Sequence, residues 1–280
     1  MSICRLLLIV LLVCCVAVSA EDRPAVKVVS LSPSITETIC QMKQEACLVG
    51  RSSACDYPAA VRQVPIAGNM GIPFLEKLAA LKPDYVLASA LRDNGVKKTI
   101  ESLGIKVVVM PGRTIADYLS SVKVLGEIMR CPAAAEAEAL RFTRQLEEFR
   151  RLAGDVPAAQ RPRVYLEVWH RPLQTCGGKT FLNEMIEYAG GVNIAAGEPR
   201  EYFTCSEEWI LRQNPEVIIA PGMGSGKSGE IAARRGWSEV AAVKQHRIHT
   251  GLDQNAIFRL GPRTIDGIAI LRECIAGKKP

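Results

Sequence analysis

The stretch CPAAAEAEALRFTRQLEEFRRLAGDV, from Cys131 to Val156, decides how the rest of the chain is interpreted. Pro132 is favoured in the first turn of a helix, and Gly154 is favoured at its end. Between them, apolar residues recur at steps of three and four, which places them on one side of a helix. They are Ala135, Ala139, Phe142, Leu146, Phe149 and Ala153. About twenty residues at 1.5 Å each make a rod of about 30 Å. We therefore predict one long helix over residues 131–155.

Strand-like apolar runs alternate with amphipathic helical segments on both sides of this helix. It is preceded by VKVVSL, DYVLAS and KVVVM, and it is followed by RVYLEV, EVIIA and RIHTG. Such alternation is typical of an α/β fold with mainly parallel strands joined by right-handed crossovers. We predict two Rossmann-like lobes with mainly parallel sheets, at residues 21–130 and 156–280, joined by the long helix. The alternative is a helix that only packs within one domain.

The two halves share one local pattern. It reads EKLAALKPDYVLAS from Glu76 and EWILRQNPEVIIAP from Glu208. In each copy the glutamate precedes a proline by seven residues, an acid follows the proline, and an apolar strand comes next. Both glutamates should therefore lie near the start of equivalent helices, where a negative charge is favoured. Helix capping explains this pattern, and so does a matched pair of acidic groups, one on each lobe.

The first twenty residues have the pattern of a secretory signal peptide. Arg5 is followed by the apolar run LLLIVLLVCCVAV, and small residues precede Glu21. A positive start, a short apolar run and small residues before the cut define such a leader, and the run is too short to span a bilayer. We predict a signal peptide at residues 1–20, cleavage after Ala20 and a periplasmic location.

Export places the remaining cysteines in an oxidising compartment, where disulfides form. These are Cys40, Cys47, Cys55, Cys131, Cys176, Cys205 and Cys274. The number is odd, so at least one is unpaired or pairs between chains. Cys40 and Cys47 are close in sequence and form the simplest bridge, and a Cys176–Cys205 bridge is the second that we consider. No Cys/His cluster has the spacing of a zinc site, and no metal site is predicted.

Two classes of function are disfavoured by charge and by motif. The net charge of +6 comes from scattered lysines and arginines with no long basic run, so no nucleic-acid partner is predicted. The stretch PGMGSGKS, residues 221–228, ends like a phosphate-binding loop. Its first position must be glycine, because backbone N–H groups wrap the phosphates. Here it is Pro221, which has no N–H, and we interpret the stretch as a surface loop.

A family resemblance rests on five segments: VVSLSPSITETI, LVGRSSACDYPAAV, FLEKLAALKPDYVLAS, GGKTFLNEMIEYAGGVNI and FRLGPRTIDGI. They resemble the periplasmic binding proteins of ABC importers for cobalamin and ferric siderophores, and they occur in that family's order across residues 25–275. The resemblance implies two α/β lobes bridged by one long helix, with the ligand in the cleft between them. It implies binding without catalysis, no cofactor of its own, and a membrane permease with its ATPase subunits as partners. We expect a monomer.

In that family an acidic residue on each lobe meets arginines of the permease. Glu76 and Glu208 match these acids by motif. Exposed unlike charges set orientation and association rate more than affinity, and two equivalent acids suit a permease dimer with two-fold symmetry. We therefore interpret the pair as a docking site, with helix capping as the alternative.

The resemblance places the ligand against loops that follow the carboxyl ends of the strands. The residues predicted to bind it are Tyr57, Asn69, Met70, Arg92, Trp169, His170, Tyr202, Phe203 and Arg259. The aromatic rings offer flat surfaces to a ring-shaped ligand, and the arginines suit carboxylates or phosphates. Core packing is the alternative for each ring, and a solvated surface position is the alternative for each arginine. His170 is also a candidate axial ligand to a bound metal, with ordinary hydrogen bonding as the alternative.

A corrinoid is the first ligand that we predict, and a ferric siderophore or haem is the second. The motif DYP, residues 56–58, is shared with the cobalamin-binding members, whereas AGNMGI, residues 67–72, departs from their tryptophan-rich cleft. The rival from another class is an exported redox protein that uses Cys55, Cys176 and Cys205. These cysteines lie in or next to the predicted cleft loops.

Overall fold

The computed structural model describes residues 25–154, 156–222 and 227–277. The predicted signal peptide, residues 1–20, and its cleavage after Ala20 lie outside these residues. Residues 223–226 of the glycine-rich loop lie outside them as well. Within the described ranges, no helix combines the length and the apolar character needed to cross a membrane.

A six-stranded sheet forms the centre of the first half of the chain. Its strands are β1 (Val28–Ser30), β2 (Leu48–Ser52), β3 (Ile66–Asn69), β4 (Ile72–Pro73), β5 (Tyr85–Ala88) and β6 (Lys106–Val109). They pair in the order β4-β3-β2-β1-β5-β6, and all pairs are parallel except the hairpin β3–β4. The helices are α1 (Pro33–Gln41), α2 (Leu75–Leu81) and α3 (Asn94–Ser102). Strand β1 is wholly buried, as expected for the centre of a covered parallel sheet.

Two long helices connect the halves of the chain. Helix α4 spans Ile115–Ile128, and helix α5 spans Pro132–Ala153. Helix α5 is the long helix that the sequence predicts, and its ends coincide with the expected proline and glycine signals. Four members of the predicted apolar stripe are buried, namely Ala135, Phe142, Leu146 and Ala153. The stripe is therefore a packing surface.

The second half contains a parallel sheet and a separate antiparallel sheet. The strands are β7 (Arg163–Leu166), β8 (Trp169–His170), β9 (Leu173–Cys176), β10 (Val192–Asn193), β11 (Tyr202–Thr204), β12 (Val217–Ala220) and β13 (Ile248–Thr250). They pair as β10-β7-β12-β13, all parallel, and as β11-β9-β8, all antiparallel. The helices are α6 (Phe181–Tyr188), α7 (Glu207–Gln213), α8 (Ser228–Ala232), α9 (Ala241–Lys244), α10 (Gln254–Phe258) and α11 (Thr264–Ile275). The antiparallel sheet was not predicted.

Helix α5 contacts both halves of the molecule. It packs against α4 and also against α6 and α11 of the second half. The Phe142 ring lies 4.5 Å from the Tyr118 ring of α4, and Arg272 of α11 donates a hydrogen bond of 3.1 Å to the carbonyl of Leu152. The predicted fold class, two α/β lobes with mainly parallel sheets joined by one long helix, is confirmed. The limits of the lobes at residues 130 and 156 stay a prediction.

The pattern shared by the two halves has a structural cause. Helices α2 and α7 both end in a left-handed residue, Lys82 at φ 47° and Asn214 at φ 43°. The acid after each proline then accepts a hydrogen bond from the backbone of a neighbouring strand. Asp84 accepts from the N–H of Lys27 at 2.8 Å, and Glu216 accepts from the N–H of Arg163 at 2.9 Å. Each acid therefore fixes the start of a parallel strand, β1 or β7.

The expected disulfides are absent among the described residues, where all seven cysteines are free thiols. The register of the antiparallel sheet excludes the Cys176–Cys205 bridge. Tyr202 lies opposite Cys176, and the N–H of Cys205 bonds to the carbonyl of Leu173. The two cysteines are thus offset by three residues, about 10 Å along the strand, which is beyond the reach of a disulfide. Cys40 and Cys47 are both buried and unbridged, and burial raises the pKa of Cys40 to about 11.

Candidate ligand-binding cleft

A cavity of about 370 Å³ lies between the two lobes. Its first wall comes from the N-terminal lobe, its floor from α4, and its second wall from the C-terminal lobe. The lining residues are Ser32, Pro33, Ser34, Ile35, Thr38, Ala54, Met70, Ser89, Met110 and Gly112, then Tyr118, Ser121 and Leu125, then Phe181, Gln254, Asn255, Phe258, Arg259 and Leu260. The volume is within the range of about 300–1,000 Å³ that is usual for small-molecule sites.

Hydroxyl groups line the first wall where parallel strands end. Strand β1 ends at Ser30, and Ser32 and Pro33 begin helix α1. The Ser32 hydroxyl lies 2.8 Å from the Ser89 hydroxyl, which follows β5, and 3.4 Å from the Ser34 hydroxyl. Since β1 and β5 are parallel neighbours, their carboxyl ends meet at one edge of the sheet. This is the edge where open α/β sheets bind ligands.

The second wall is formed by the short helix α10, which follows β13. Asp253 caps this helix, because its carboxylate accepts from the N–H groups of Asn255 at 2.9 Å and Ala256 at 3.2 Å. The cap turns Gln254 and Asn255 towards the cavity. The side-chain oxygen of Gln254 is buried and has no hydrogen-bond partner among the described residues. A buried acceptor without a partner requires an explanation, and a bound ligand supplies one.

The floor is formed by one side of α4, which the sequence analysis did not assign to the cleft. The Tyr118 hydroxyl donates a 2.7 Å hydrogen bond to Glu138 of α5. Burial, together with the negative charge of Glu138, raises the pKa of Tyr118 well above its usual value, so the ring stays protonated. Glu138 also receives two bonds of 2.7 Å from Arg141. The long helix thus holds the floor of the cavity in position.

Charged side chains from both lobes meet at the side of the cavity. Arg259 of the C-terminal lobe donates to Glu37 of α1 at 3.0 Å and to Asp56 at 2.7 Å. Arg263 donates twice to Glu37, at 2.9 and 3.0 Å, and lies 3.3 Å from Asp253. We call these five residues the inter-lobe ion network. Glu37 is only 3% exposed, and the hydrogen bond from Arg259 holds the pKa of Asp56 below its usual value.

A model of the periplasmic binding protein family matches residues 28–254 of the chain. The protein belongs to this family.

Similar proteins agree with this assignment. An uncharacterised ABC transporter substrate-binding lipoprotein, YvrC of Bacillus subtilis, is 31% identical over 254 residues, which is 89% of this chain and 79% of that protein. A vitamin B12-binding protein of Pectobacterium carotovorum is 30% identical over 216 residues, 76% of this chain and 75% of its own length. The crystal structure of a possible iron-binding (periplasmic solute-binding) protein from Staphylococcus epidermidis has a TM-score of 0.78 and 26% identity. It covers 90% of this chain and 99% of that one.

Two of the predicted ligand residues line the cavity of this periplasmic binding protein, namely Met70 and Arg259. Tyr57 lies beside the cavity, where its ring is 4.2 Å from the guanidinium group of Arg263. Asn69 is exposed and accepts a 2.7 Å hydrogen bond from Ser53. Arg92 is exposed and does not line the cavity, although its backbone N–H bonds to Gly71 beside Met70.

The other predicted residues lie together in the antiparallel sheet and do not line the cavity. Trp169 and His170 form strand β8 at one edge of this sheet, with their rings 5.4 Å apart. Tyr202 and Phe203 lie in β11 at the opposite edge. Tyr202 is exposed, whereas Phe203 is buried with its ring 5.7 Å from that of Trp209. A ligand role for these four residues stays a prediction.

The two predicted docking acids occupy equivalent, exposed positions. Glu76 lies in the first turn of α2, and Glu208 lies in the first turn of α7. The side-chain cap of α7 is Ser206, whose hydroxyl accepts from the N–H of Trp209 at 3.2 Å. Helix α2 has no side-chain cap bond. Neither glutamate is an N-cap residue, but hydrogen bonds from its own backbone N–H and from Ser206 hold the pKa of Glu208 below its usual value. The docking role of the pair stays a prediction.

Proposed function

We propose that this protein is an exported solute-binding protein that captures a corrinoid between its lobes and delivers it to the permease of an ABC importer. The observation that carries the proposal is the cavity shared by both lobes and floored by α4 in a member of the periplasmic binding protein family. A protein of this kind binds its ligand and performs no chemistry on it.

The chemistry of the cavity wall supports a corrinoid. Apolar side chains such as Ile35, Leu125 and Phe181 alternate with neutral hydroxyl and amide groups such as Ser34 and Asn255. A corrin ring has apolar faces and a rim of uncharged amide arms, which donate and accept hydrogen bonds. The unpartnered oxygen of Gln254 is placed to accept from such an amide. The related vitamin B12-binding proteins point in the same direction.

The cavity is small for a whole corrinoid. A volume of about 370 Å³ is near the lower end of the usual range, and a corrinoid is larger than a drug-sized ligand. The cavity therefore encloses part of the molecule, or the lobes separate to admit it. We expect the separation to be small, because α4 and α5 cross between the lobes as two packed helices.

A ferric siderophore or haem is the second candidate ligand. The similarity to a possible iron-binding protein supports it. A cysteine-based redox function is the weaker candidate from another class. Burial raises the pKa of Cys176 to about 12 and also raises that of Cys205, so neither thiol ionises readily at neutral pH.

We also propose that Glu76 and Glu208 are the groups that dock the loaded protein on the permease. Their equivalent positions on the two lobes suit a partner with two-fold symmetry. The ATPase subunits of the importer would then supply the energy for release, and this protein needs no nucleotide site.

The test is a titration of the mature protein, residues 21–280, with cyanocobalamin, cobinamide, haem and ferric siderophores. Tryptophan fluorescence reports binding, and calorimetry corrects for ligands that absorb light. Saturable one-to-one binding of a corrinoid is the expected result.

The variant Gln254→Ala should weaken corrinoid binding by about tenfold, the effect of one lost buried hydrogen bond. Gln63→Ala is the control, because Gln63 is exposed and does not line the cavity. Failure of all four ligands to bind would refute the corrinoid and iron proposals together.

A further inference from the structure

The charge of the cavity depends on a single lining residue. Of the described residues that line it, Arg259 alone carries a formal charge. Its Nη1 atom donates both to Glu37 and to Asp56, so its positive charge already has two carboxylate partners. Both partners belong to the other lobe. An arginine in a ligand cavity usually attracts anions, but this one faces two anions supplied by the protein itself.

The complete inter-lobe ion network is negative. It contains the guanidinium groups of Arg259 and Arg263 and the carboxylates of Glu37, Asp56 and Asp253. Two positive charges thus oppose three negative charges, and the network carries a net charge of −1. Coulomb energy falls only with the first power of distance. An anion that approaches Arg259 also approaches the two carboxylates hydrogen-bonded to it, and these repel it.

The position of Glu37 makes competition by an anion unfavourable. The Glu37 carboxylate is nearly inaccessible to water and accepts hydrogen bonds from both Arg259 and Arg263. A ligand carboxylate or catecholate that took the Nη1 donor of Arg259 would leave Glu37 buried with Arg263 as its remaining partner. Buried charges without sufficient partners are strongly disfavoured. Since Glu37 and Arg259 come from different lobes, this cost arises when the lobes are closed around the ligand.

We infer that Glu37 and Asp56 make the cavity selective for uncharged or cationic metal chelates over polyanionic ones, because they occupy Arg259 from the opposite lobe. The inference rests on the proposed function and deepens it. It assigns the ligand to a class by charge: a corrinoid with neutral amide arms is accepted. Haem, with two propionates, and a ferric tris-catecholate, with three negative charges, are disfavoured.

Removing either carboxylate should weaken this preference. The variants are Glu37→Gln and Asp56→Asn, which keep shape and hydrogen-bonding capacity but remove the charge. Asp56 has a side chain that is 39% exposed, so Asp56→Asn tests the inference even if Glu37→Gln folds poorly. Glu136→Gln on the exposed side of α5 is the matched control, since it removes one negative charge far from the network.

The measurement is the dissociation constant of each protein for cyanocobalamin, haem and a ferric tris-catecholate. We expect the wild type to prefer cyanocobalamin, and each variant to raise the ratio of anionic to neutral affinity by about tenfold or more. The control should leave that ratio unchanged. Equal affinity of the wild type for neutral and polyanionic chelates would overturn the inference, and so would variants that shift all three ligands alike.

The same measurement separates this inference from the proposed function. If the wild type binds no chelate but the variants gain the anionic ones, the corrinoid proposal fails and the charge inference stands. If the wild type binds cyanocobalamin and the variants do not change the ratio, the proposed function stands and the inference fails. If no protein binds any chelate, both fail.

Discussion

At the scale of single residues, the buried carboxylate of Glu138 has the largest structural role that we identify outside the ion network. It is 3% exposed and lies in the middle of helix α5. Its oxygen atoms accept from the Tyr118 hydroxyl and from two nitrogen atoms of Arg141, all at 2.7 Å. A buried carboxylate is tolerated when its partners satisfy it in this way. Glu138 therefore links the long helix to the floor of the cavity.

We predict that Glu138→Ala lowers the free energy of unfolding by about 2–4 kcal/mol, because it leaves a buried hydroxyl and a guanidinium group without their acceptor. The value is below the full cost of breaking a buried pair, since the Arg141 side chain is 34% exposed and regains water. Urea denaturation followed by circular dichroism measures the change. Glu136→Ala, two residues away on the exposed side, should change the free energy by less than about 0.5 kcal/mol. A loss below 1 kcal/mol for Glu138→Ala, on the scale of a single weak hydrogen bond, would contradict the assigned role.

The ion network shows why some site residues have no signal in a sequence. Glu37 lies in the amphipathic helix α1, where a charged residue looks like part of a solvated surface. Its partners Arg259 and Arg263 are more than two hundred residues away in the chain. The local pattern therefore gives no sign that Glu37 is buried and bonded to two arginines of the other lobe. Arg259, by contrast, was predicted from the family resemblance, which assigns the loops near the carboxyl ends of the strands to the cleft.

At the scale of elements, the buried and exposed positions of helix α5 agree with its apolar periodicity. Phe142 is wholly buried at the centre of the apolar stripe and lies against Tyr118 of α4. Leu140, two residues earlier, points away from the stripe and is 48% exposed. The helical period of 3.6 residues alone predicts that Phe142 is buried and Leu140 is exposed.

We predict that Phe142→Ala lowers the free energy of unfolding by about 3–5 kcal/mol, the usual cost of removing a buried aromatic ring. The cavity floor should loosen at the same time, because the Tyr118 ring loses its neighbour. The midpoint of chemical denaturation reports the first effect, and ligand affinity reports the second. Leu140→Ala on the same helix is the control and should stay within about 0.5 kcal/mol of the wild type. Equal effects of the two substitutions would mean that α5 does not pack through its predicted stripe.

The antiparallel sheet was missed by sequence reasoning because its elements are short. Strand β8 contains two residues and β11 contains three, too few for an alternating pattern to be recognised. Trp169, His170, Tyr202 and Phe203 lie in the three-stranded sheet that these strands form with β9 and are not among the residues that line the cavity. The role of helix α4 in the cleft was missed for another reason. Its capping box of Thr114 and Asp117 marks a helix start. No local pattern indicates that the side carrying Tyr118 faces the cleft.

At the scale of the whole molecule, the two lobes present matching surfaces to a partner. Helices α2 and α7 have the same length and the same left-handed end, and each is followed by an acid, Asp84 or Glu216, that fixes a neighbouring strand. Glu76 and Glu208 are therefore held at corresponding positions of two similar units. Helix α5 packs against elements of both halves, so we expect the distance between the two acids to change little when ligand binds.

We predict that the double variant Glu76→Arg and Glu208→Arg lowers uptake through the importer by about tenfold or more, because reversed charges repel the permease and slow productive association. Ligand affinity should not change, since neither residue lines the cavity. Uptake of labelled ligand by cells, together with calorimetry on the purified protein, separates the two quantities. Each single variant should lose part of the uptake, because each lobe contributes one contact.

The control is Glu136→Arg, an equal reversal of charge on the exposed side of α5, and its uptake should match the wild type. The defect should also shrink as salt is raised, since exposed charges are screened beyond about 8–10 Å. Normal uptake by the double variant would mean that the matched helices serve only to build the two lobes.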